Sequence, residues 1–281
     1  MSIFVSLLNP ARLWTAGAHV ATTLMRHRAL LVDQVRREII DQHAGQVMGG
    51  LWSIIHPVFL MLVYVFVFGF VFEARVGGTR EMPLDYTSYI IAGLAPWLTI
   101  VQMLSKSATS LTSNSSLIKQ VVFPIEVLPA KVVISTLLPL SVMLLCFFAY
   151  TWLGQGRFHW THLTFPLLMG IYLLWALGIG YFLAALTVFV RDIKEVVQVF
   201  AVAGVFLAPV IYLPTWIPAI FEPILYANPF SYLIWCFQDA LYFGRFDHPW
   251  AWAFSIVGGL VTYTLGARVF RSLKPYYGDN L

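Results

Sequence analysis

Charge is what this 281-residue sequence has least of: Asp, Glu, Lys and Arg make up 11% of it, against about a quarter in a soluble domain. Hydrophobic residues make up 59%, and the mean hydropathy is +0.79. A soluble chain of that composition would need apolar runs broken at strand or amphipathic-helix spacing. They are not, so the chain reads as an integral membrane protein. Cysteine is nearly absent: Cys146 and Cys236 both sit in apolar runs and form neither a metal-ligand pattern nor a disulfide framework. The opening MSIFVSLLNP has no basic stretch ahead of its apolar residues, so no cleavable signal peptide is expected. No glycine-rich loop ending in Gly-Lys-Ser or Gly-Lys-Thr occurs, which removes the usual phosphate cradle. The chain is therefore not expected to hydrolyse nucleotide by itself. No Ser-His-Asp set or carboxylate pair stands out. His159 and His162 in HWTH have no further ligand-type neighbours, so the stretch reads as a solvated loop. No catalytic residue, metal site or cofactor is expected in this chain.

What is present is a set of long apolar runs. A membrane-crossing helix needs about 20 apolar residues, and six segments qualify: Trp52 to Phe72, Tyr86 to Leu104, Val127 to Leu153, Phe165 to Val190, Val196 to Leu213 and Trp250 to Phe270. The expected fold is an all-α integral membrane domain over residues 1–281. It has an N-terminal region (1–50), a six-helix membrane part (51–271) and a short tail (272–281).

The few charges then sort by side. Of the 17 Lys and Arg residues, Arg12, Arg26, Arg28, Arg36, Arg37, Lys106, Lys119, Lys131, Arg191, Lys194, Arg268, Arg271 and Lys274 fall on the side of the termini. Arg75, Arg80, Arg157 and Arg245 fall opposite. Cytoplasmic loops collect Lys and Arg, so both termini are expected in the cytoplasm and the protein in the cytoplasmic (inner) membrane. The same rule explains the basic pI of about 9.1, which is no argument for nucleic acid. No Asp or Glu falls mid-span in this placement, which weakens an ion-coupled transporter. The driving force is expected from outside the bilayer.

Three features mark the cytoplasmic side. In SNSSLIKQVVFPIEVLP, Ser113 or Asn114 reads as an N-cap. Leu117 with Val121, and Ile118 with Val122, form an apolar face at i, i+4, and Pro124 stops the helix. That face is expected against the bilayer, the protein's own body or a partner's socket. VRDIKEVVQ packs Arg191, Asp192, Lys194 and Glu195 into a compact polar turn. In RALLVDQVRREIID, Leu31, Val35 and Ile39 share one face with Arg36 and Arg37 largely elsewhere, the pattern of a helix lying on the membrane surface. Gly45, Gly49 and Gly50 loosen the chain ahead of the first span.

On the outer side, prolines at 214, 218, 223 and 229 exclude one continuous helix. Ile217 to Tyr226 and Pro229 to Phe243 read as a helical hairpin dipping into the outer leaflet. Such backbone is tolerated at depth only inside protein or along a cavity, which makes the hairpin a candidate gate. Aromatics are abundant, 22 Phe, 13 Tyr and 10 Trp. Many suit the membrane interfaces. Tyr64, Phe66, Phe68, Phe70 and Phe72 crowd the first span, and Phe200, Phe206 and Tyr212 are spaced along the fifth. Aromatic faces with polar tips suit sliding contact with sugar rings.

These features together resemble a family. GGLWSIIHP at the first span, AGLAPW in the second, NSSLIKQVVFPIEVLP after it, then RDIKEVVQVF, PVIYLPTWIP and NPFSYLIWCFQDALYFG are similar, in order and spacing, to the permease subunits of type-2 ABC exporters of polysaccharides. The likeness runs from Leu30 onward. It is nearest to O-antigen exporter permeases, with teichoic acid and capsule permeases as relatives. It implies a homodimer with two copies of a separate ABC ATPase that holds the ATP and Mg, and a lipid-linked polysaccharide as cargo in the bilayer. It implies that Asn114, Ser115, Leu117, Ile118, Lys119, Val121 and Val122 form a coupling helix, with Arg191, Asp192, Lys194 and Glu195 as a second ATPase contact. Leu31, Val35, Arg36, Arg37 and Ile39 would belong to the interface helix. Tyr64, Phe68, Phe200, Phe206 and Tyr212 would line the channel, and Trp216, Pro218, Pro223, Asn228 and Pro229 the outer gate. The chain departs from the family at DQHAGQ, where basic residues are common, and at Gln238, where many members carry Arg. Two other readings stay open: a type-2 ABC exporter of drugs or lipids, and an integral-membrane sugar or acyl transferase. The latter would need a converging carboxylate or histidine cluster.

Overall fold

The structure, a computed structural model, describes residues 10–71, 83–120, 123–156 and 159–281. The expected end of the first span at Phe72, the outer arginines Arg75, Arg80 and Arg157, and the coupling residues Val121 and Val122 lie outside the described residues.

Among the described residues the chain is helical, without strands. Two helices precede the apolar part, α1 (Pro10–Arg26) and α2 (Arg28–Asp41). Then come α3 (Trp52–Tyr64), which runs on as a π-helix over Val65–Val71, and α4 (Tyr86–Thr109). The short α5 (Ser115–Gln120) leads to α6 (Val127–Ser135) and α7 (Leu137–Gln155). Next are α8 (Phe165–Phe189) and α9 (Ile193–Ala203). The chain closes with α10 (Glu222–Ala227), α11 (Pro229–Gln238), α12 (Pro249–Leu273) and α13 (Tyr277–Asn280). Among the described residues, five stretches are long and apolar enough to cross a membrane: Gly49–Phe68, Tyr86–Thr109, Val127–Leu153, Trp160–Phe189 and Pro249–Asn280.

The expected fifth span, Val196 to Leu213, is not one helix. α9 ends at Ala203, and the chain continues in turns to Leu213. Eleven helical residues extend about 16 Å, half the roughly 30 Å of a hydrocarbon core. Two residues account for the break. Gly204 lies so close to Trp97 that a Cβ there would stand 2.4 Å from the indole ring. Pro209 has no amide to donate and disfavours helix in the residue before it.

α4 lies in the middle of the body and is mostly buried, whereas α3 packs on the rim and is largely exposed. α8 and α12 cross closely, because a Cβ on Gly178 would meet the Thr262 backbone at 2.4 Å and one on Gly266 the Gly178 carbonyl at 2.0 Å. Small residues at a crossing are how apolar helices bring their backbones together without a hydrophobic drive between them. The expected third span bends at Thr136, between α6 and α7. Pro139 withholds the N–H that Ser135 would accept, while Ser135 Oγ and Thr136 Oγ1 donate to the Val132 and Val133 carbonyls at 2.7 Å each.

The sequence reading passed over α1. Its Ala16 and Val20 are buried, and Leu24 packs on the same apolar cluster. The spacing is i, i+4, i+8, so the stripe was there to be read. Tyr263 Oη of α12 donates to the Gly17 carbonyl at 3.0 Å.

Candidate functional site

The basic end of the body, where α2, α5 and the last residues of the chain meet, carries the expected partner contacts. Leu117 and Ile118 of α5 pack on a buried cluster that includes Leu111, Leu128, Tyr181 and Phe270. Of the three surfaces expected for this apolar face, the structure gives these two residues the protein's own body. Lys119 points out and is exposed, and Asn114 and Ser115 are half-buried. The expected N-cap is corrected. Ser113 Oγ donates to the Thr109 carbonyl (2.7 Å) and Asn114 Nδ2 to the Ser110 carbonyl (2.8 Å). The chain stays helical from α4 through Thr112–Asn114 into α5, so these side chains serve carbonyls behind them rather than amides ahead.

Two lysine–carboxylate pairs hold this region. Lys274 Nζ sits 2.6 Å from Glu126 Oε1, with Glu126 buried, and Lys131 Nζ sits 3.3 Å from Glu38 Oε2. The stretch just after α5 is thus tied on one side to the end of α12 and on the other to α2. Lys131, read from sequence as a connection charge, is buried. On α2, Leu31, Val35 and Ile39 are half-buried, while Arg36 and Arg37 are exposed, Arg37 pairing with Asp33 at 3.0 Å. Arg191, Asp192, Lys194 and Glu195 are exposed at the head of α9. A cavity of about 240 Å3 lined by Thr109, Thr112, Arg191, Lys194 and Leu281 places that turn beside the approach to α5. Of the first expected contact stretch, no described residue lines this cavity, which Thr109 and Thr112 reach from the approach ahead of it.

Along the body, Tyr64 and Phe68 stack with ring centroids 6.1 Å apart, and Phe68 meets Tyr86 edge-on at 6.1 Å. Tyr86 then touches Trp216 (5.6 Å) and stacks with Tyr89 (6.4 Å). Tyr64, Phe68 and Trp216 thus belong to one aromatic row that runs from α3 to the hairpin. Phe200 lies elsewhere, packed on Trp97 (5.8 Å) and Phe230 (5.6 Å). Phe206, in the turns after α9, is exposed, as are Val196, Val199 and Val202 on α9 itself.

The broken stretch after α9 has its carbonyls taken by side chains. Tyr86 Oη donates to Ile211, and Tyr89 Oη to Tyr212 (3.0 Å) and Pro209 (3.3 Å). Gln238 Nε2 donates to Pro209 (2.7 Å), Asn228 Nδ2 to Leu207 (3.0 Å) and Tyr212 Oη to Phe206 (2.6 Å). Irregular backbone inside an apolar body persists only when its polar groups are satisfied in this way. Tyr86 and Tyr89 were not singled out from sequence, and Gln238 only as a departure from the family's arginine. Pro209 marks a weak point in the run, but nothing in the sequence says which distant side chains serve the carbonyls there.

At the hairpin end, Asn228 caps α11: its Oδ1 accepts from the Phe230 amide at 3.1 Å, and Pro229 takes the first helical position, where no amide is needed. Trp216, Pro218, Pro223 and Pro229 are exposed around it. Behind α11, Asp239 is fully buried and held by His248 Nδ1 (2.8 Å), the His248 amide (2.9 Å) and Trp252 Nε1 (3.1 Å). The HWTH stretch is corrected from a solvated loop. Thr161 and His162 are buried, Thr161 Oγ1 donating to the Ala240 carbonyl (2.7 Å) and His162 Nε2 lying 3.3 Å from the Leu241 carbonyl. The π-helix at Asp239–Phe243 leaves carbonyls there to be met.

With this geometry in place, comparison with known proteins is informative. The profile of the family described as ABC-2 type transporter matches residues 34–242. The chain is 31% identical to the O-antigen export system permease protein RfbA of Myxococcus xanthus over 67% of its own length and 70% of that protein's. It is 24% identical to the protein of the same name from Klebsiella pneumoniae, over 90% and 95% of the two chains. It is 21% identical to the polysialic acid transport protein KpsM of Escherichia coli, over 84% and 90%.

Proposed function

The chain belongs to the ABC-2 type transporter family, and from that premise we propose that it is the membrane-spanning subunit of an ATP-driven exporter of a lipid-linked, O-antigen-like polysaccharide. In this reading the basic end faces the cytoplasm, following the distribution of Lys and Arg. Two copies of the chain form the glycan path, and two copies of a partner ABC ATPase dock at Lys119 and the Arg191–Glu195 turn. The exposed apolar faces of α3 with its π-helical continuation and of α9 with the turns after it, with Leu62, Phe66, Val199 and Phe206 exposed, suit a second copy or lipid.

The observation that carries the glycan reading is the continuous aromatic row Tyr64, Phe68, Tyr86 and Trp216. Rings with hydroxyl or indole tips match sugar, which has apolar C–H faces and a polar rim. Many weak, similar contacts of about 1 kcal/mol each let a long chain slide. A drug or lipid exporter of the same fold would not need such a row. A transferase would need titratable groups converging on one open site. The buried Asp239–His248 pair is held by its own neighbours instead.

Combined replacement of Tyr64, Phe68 and Trp216 by Ala tests the reading. Surface polysaccharide per cell should fall at matched permease level, while ATPase assembly and turnover in proteoliposomes persist. Wild-type export by the triple variant would place the glycan path elsewhere.

A further inference from the structure

The hairpin end holds a cavity of about 450 Å3 between the Pro214 turn, α11 and the loop before α12, with Thr215, Trp235, Gln238, Arg245, Asp247 and His248 in its wall. That size is in the range of roughly 300–1,000 Å3 for small-molecule sites. The cavity adjoins the aromatic row, because Tyr89 also lines it. We propose that it is a binding subsite for one neutral sugar unit of the exported chain, which deepens the polysaccharide reading and rests on it.

Charge comes first. Arg245 Nε is 2.7 Å from Asp247 Oδ1, and His248 Nδ1 is 2.8 Å from Asp239 Oδ1. The wall and its backing therefore set two carboxylates against one guanidinium, and each ionisable group already has an opposite or hydrogen-bonding partner. An anion such as a phosphate meets no unbalanced positive charge here. A neutral ligand that gives and takes hydrogen bonds meets both kinds of group: the Thr215 hydroxyl and Arg245 as donors, Thr215 and the Asp247 carboxylate as acceptors. A sugar hydroxyl has both capacities.

The wall is also polar beyond its own needs. Among the described residues, Trp235 Nε1 and Gln238 Oε1 have no hydrogen-bond partner, although both side chains are almost wholly buried (1% and 0% exposed). Both atoms have almost no accessible surface, so they lie just beneath the wall, and an occupant satisfies them once a wall side chain turns; buried polar groups are otherwise paired. Aromatic side chains complete the wall with Tyr89 and Phe243, the surface on which sugar C–H faces rest. The site is wired to the broken stretch as well, because Gln238 reaches the Pro209 carbonyl with its other amide atom. A sugar unit in the cavity thus touches the residue that holds the segment after α9.

The test uses the full-length chain in nanodiscs and saturation-transfer NMR, with methyl α-mannopyranoside and methyl N-acetyl-β-glucosaminide as neutral probes and inorganic phosphate as the anionic one. Ring protons of at least one glycoside should receive saturation, and phosphate should not displace it. Trp235→Phe removes one N–H and keeps the ring body. Thr215→Val changes an exposed residue that the fold does not depend on. Each should weaken glycoside binding roughly tenfold, the effect of leaving a ligand hydroxyl unpaired. Absence of glycoside signal, displacement by phosphate, or binding as tight as wild type in both variants would overturn the proposal. If the glycosides fail to bind while cells carrying the wild-type chain display polysaccharide, the subsite falls and the exporter reading stands. If such cells display none, the exporter reading falls whatever the NMR gives.

Discussion

Lys131→Met removes the ammonium that anchors Glu38 of α2 to α6. The two charges lie 3.3 Å apart, with the Lys131 side chain 10% and the Glu38 side chain 22% exposed. At an effective dielectric of about 20 the Coulomb attraction at that distance is roughly 5 kcal/mol. Desolvation offsets most of it, so what a variant exposes is the stranding of the remaining charge, about 3–5 kcal/mol for a fully buried pair. Glu38 keeps part of its contact with solvent, which brings Lys131→Met down to about 2 kcal/mol. Glu38→Gln strands the less exposed lysine and should cost about 3 kcal/mol. Lys131→Met combined with Glu38→Leu removes both charges and should recover to within about 1 kcal/mol of wild type. The assay is the thermal midpoint of the purified chain in one detergent, where the single variants should melt about 5–10 °C lower. Unchanged single variants, or a double variant that loses the sum of both, would refute the claim that this pair fastens α2 to the body.

Other consequences follow from particular contacts. Gly178→Val places branched carbons against the Thr262 backbone and should prevent accumulation of folded protein. Gly170→Ala, with open space around it, should not, and size-exclusion profiles from membranes distinguish the two. Tyr89→Phe removes the donor shared by the Pro209 and Tyr212 carbonyls, at about 1–3 kcal/mol. Amide exchange over residues 204–213 should rise, and unchanged exchange would mean those carbonyls find other partners. Leu117→Asp puts a charge against the cluster around Phe270 and should lower the chain's own melting point. Lys119→Glu, on an exposed side chain, should leave melting alone and reduce ATPase co-purification. The reverse pattern would move the docking surface off α5.

Much of this architecture was legible because membrane helices announce themselves by length and apolarity. The stretches at Tyr86–Thr109, Val127–Leu153 and Pro249–Leu273 contain the expected spans nearly end to end. Leu31, Val35 and Ile39 are half-buried along α2, while Arg36 and Arg37 between them are exposed. The fifth span failed for a physical reason. Hydropathy reports whether a segment tolerates an apolar surrounding and says nothing of whether its own carbonyls are paired. The donors Tyr86, Tyr89, Asn228 and Gln238 sit from 21 to 125 residues away in sequence from the carbonyls they serve. Ser113 and Asn114 misled because a cap requires the chain to leave the helix, and here it does not. HWTH misled because His162 finds its neighbours, Phe148 and the Leu241 carbonyl, only through tertiary packing.

The central claim is that this chain is the passive, glycan-conducting half of an ATP-driven machine. The measurement that tests it most directly is transport of a lipid-linked polysaccharide into sealed inside-out vesicles. The vesicles hold this chain with its partner ATPase, and transport is read as glycan protected from an added glycosidase. Protection should appear only with ATP and with both proteins present, and the chain alone should hydrolyse no ATP. Protection without the ATPase, or an ATP-fuelled complex that moves a lipid or drug but leaves the glycan outside, would contradict the account.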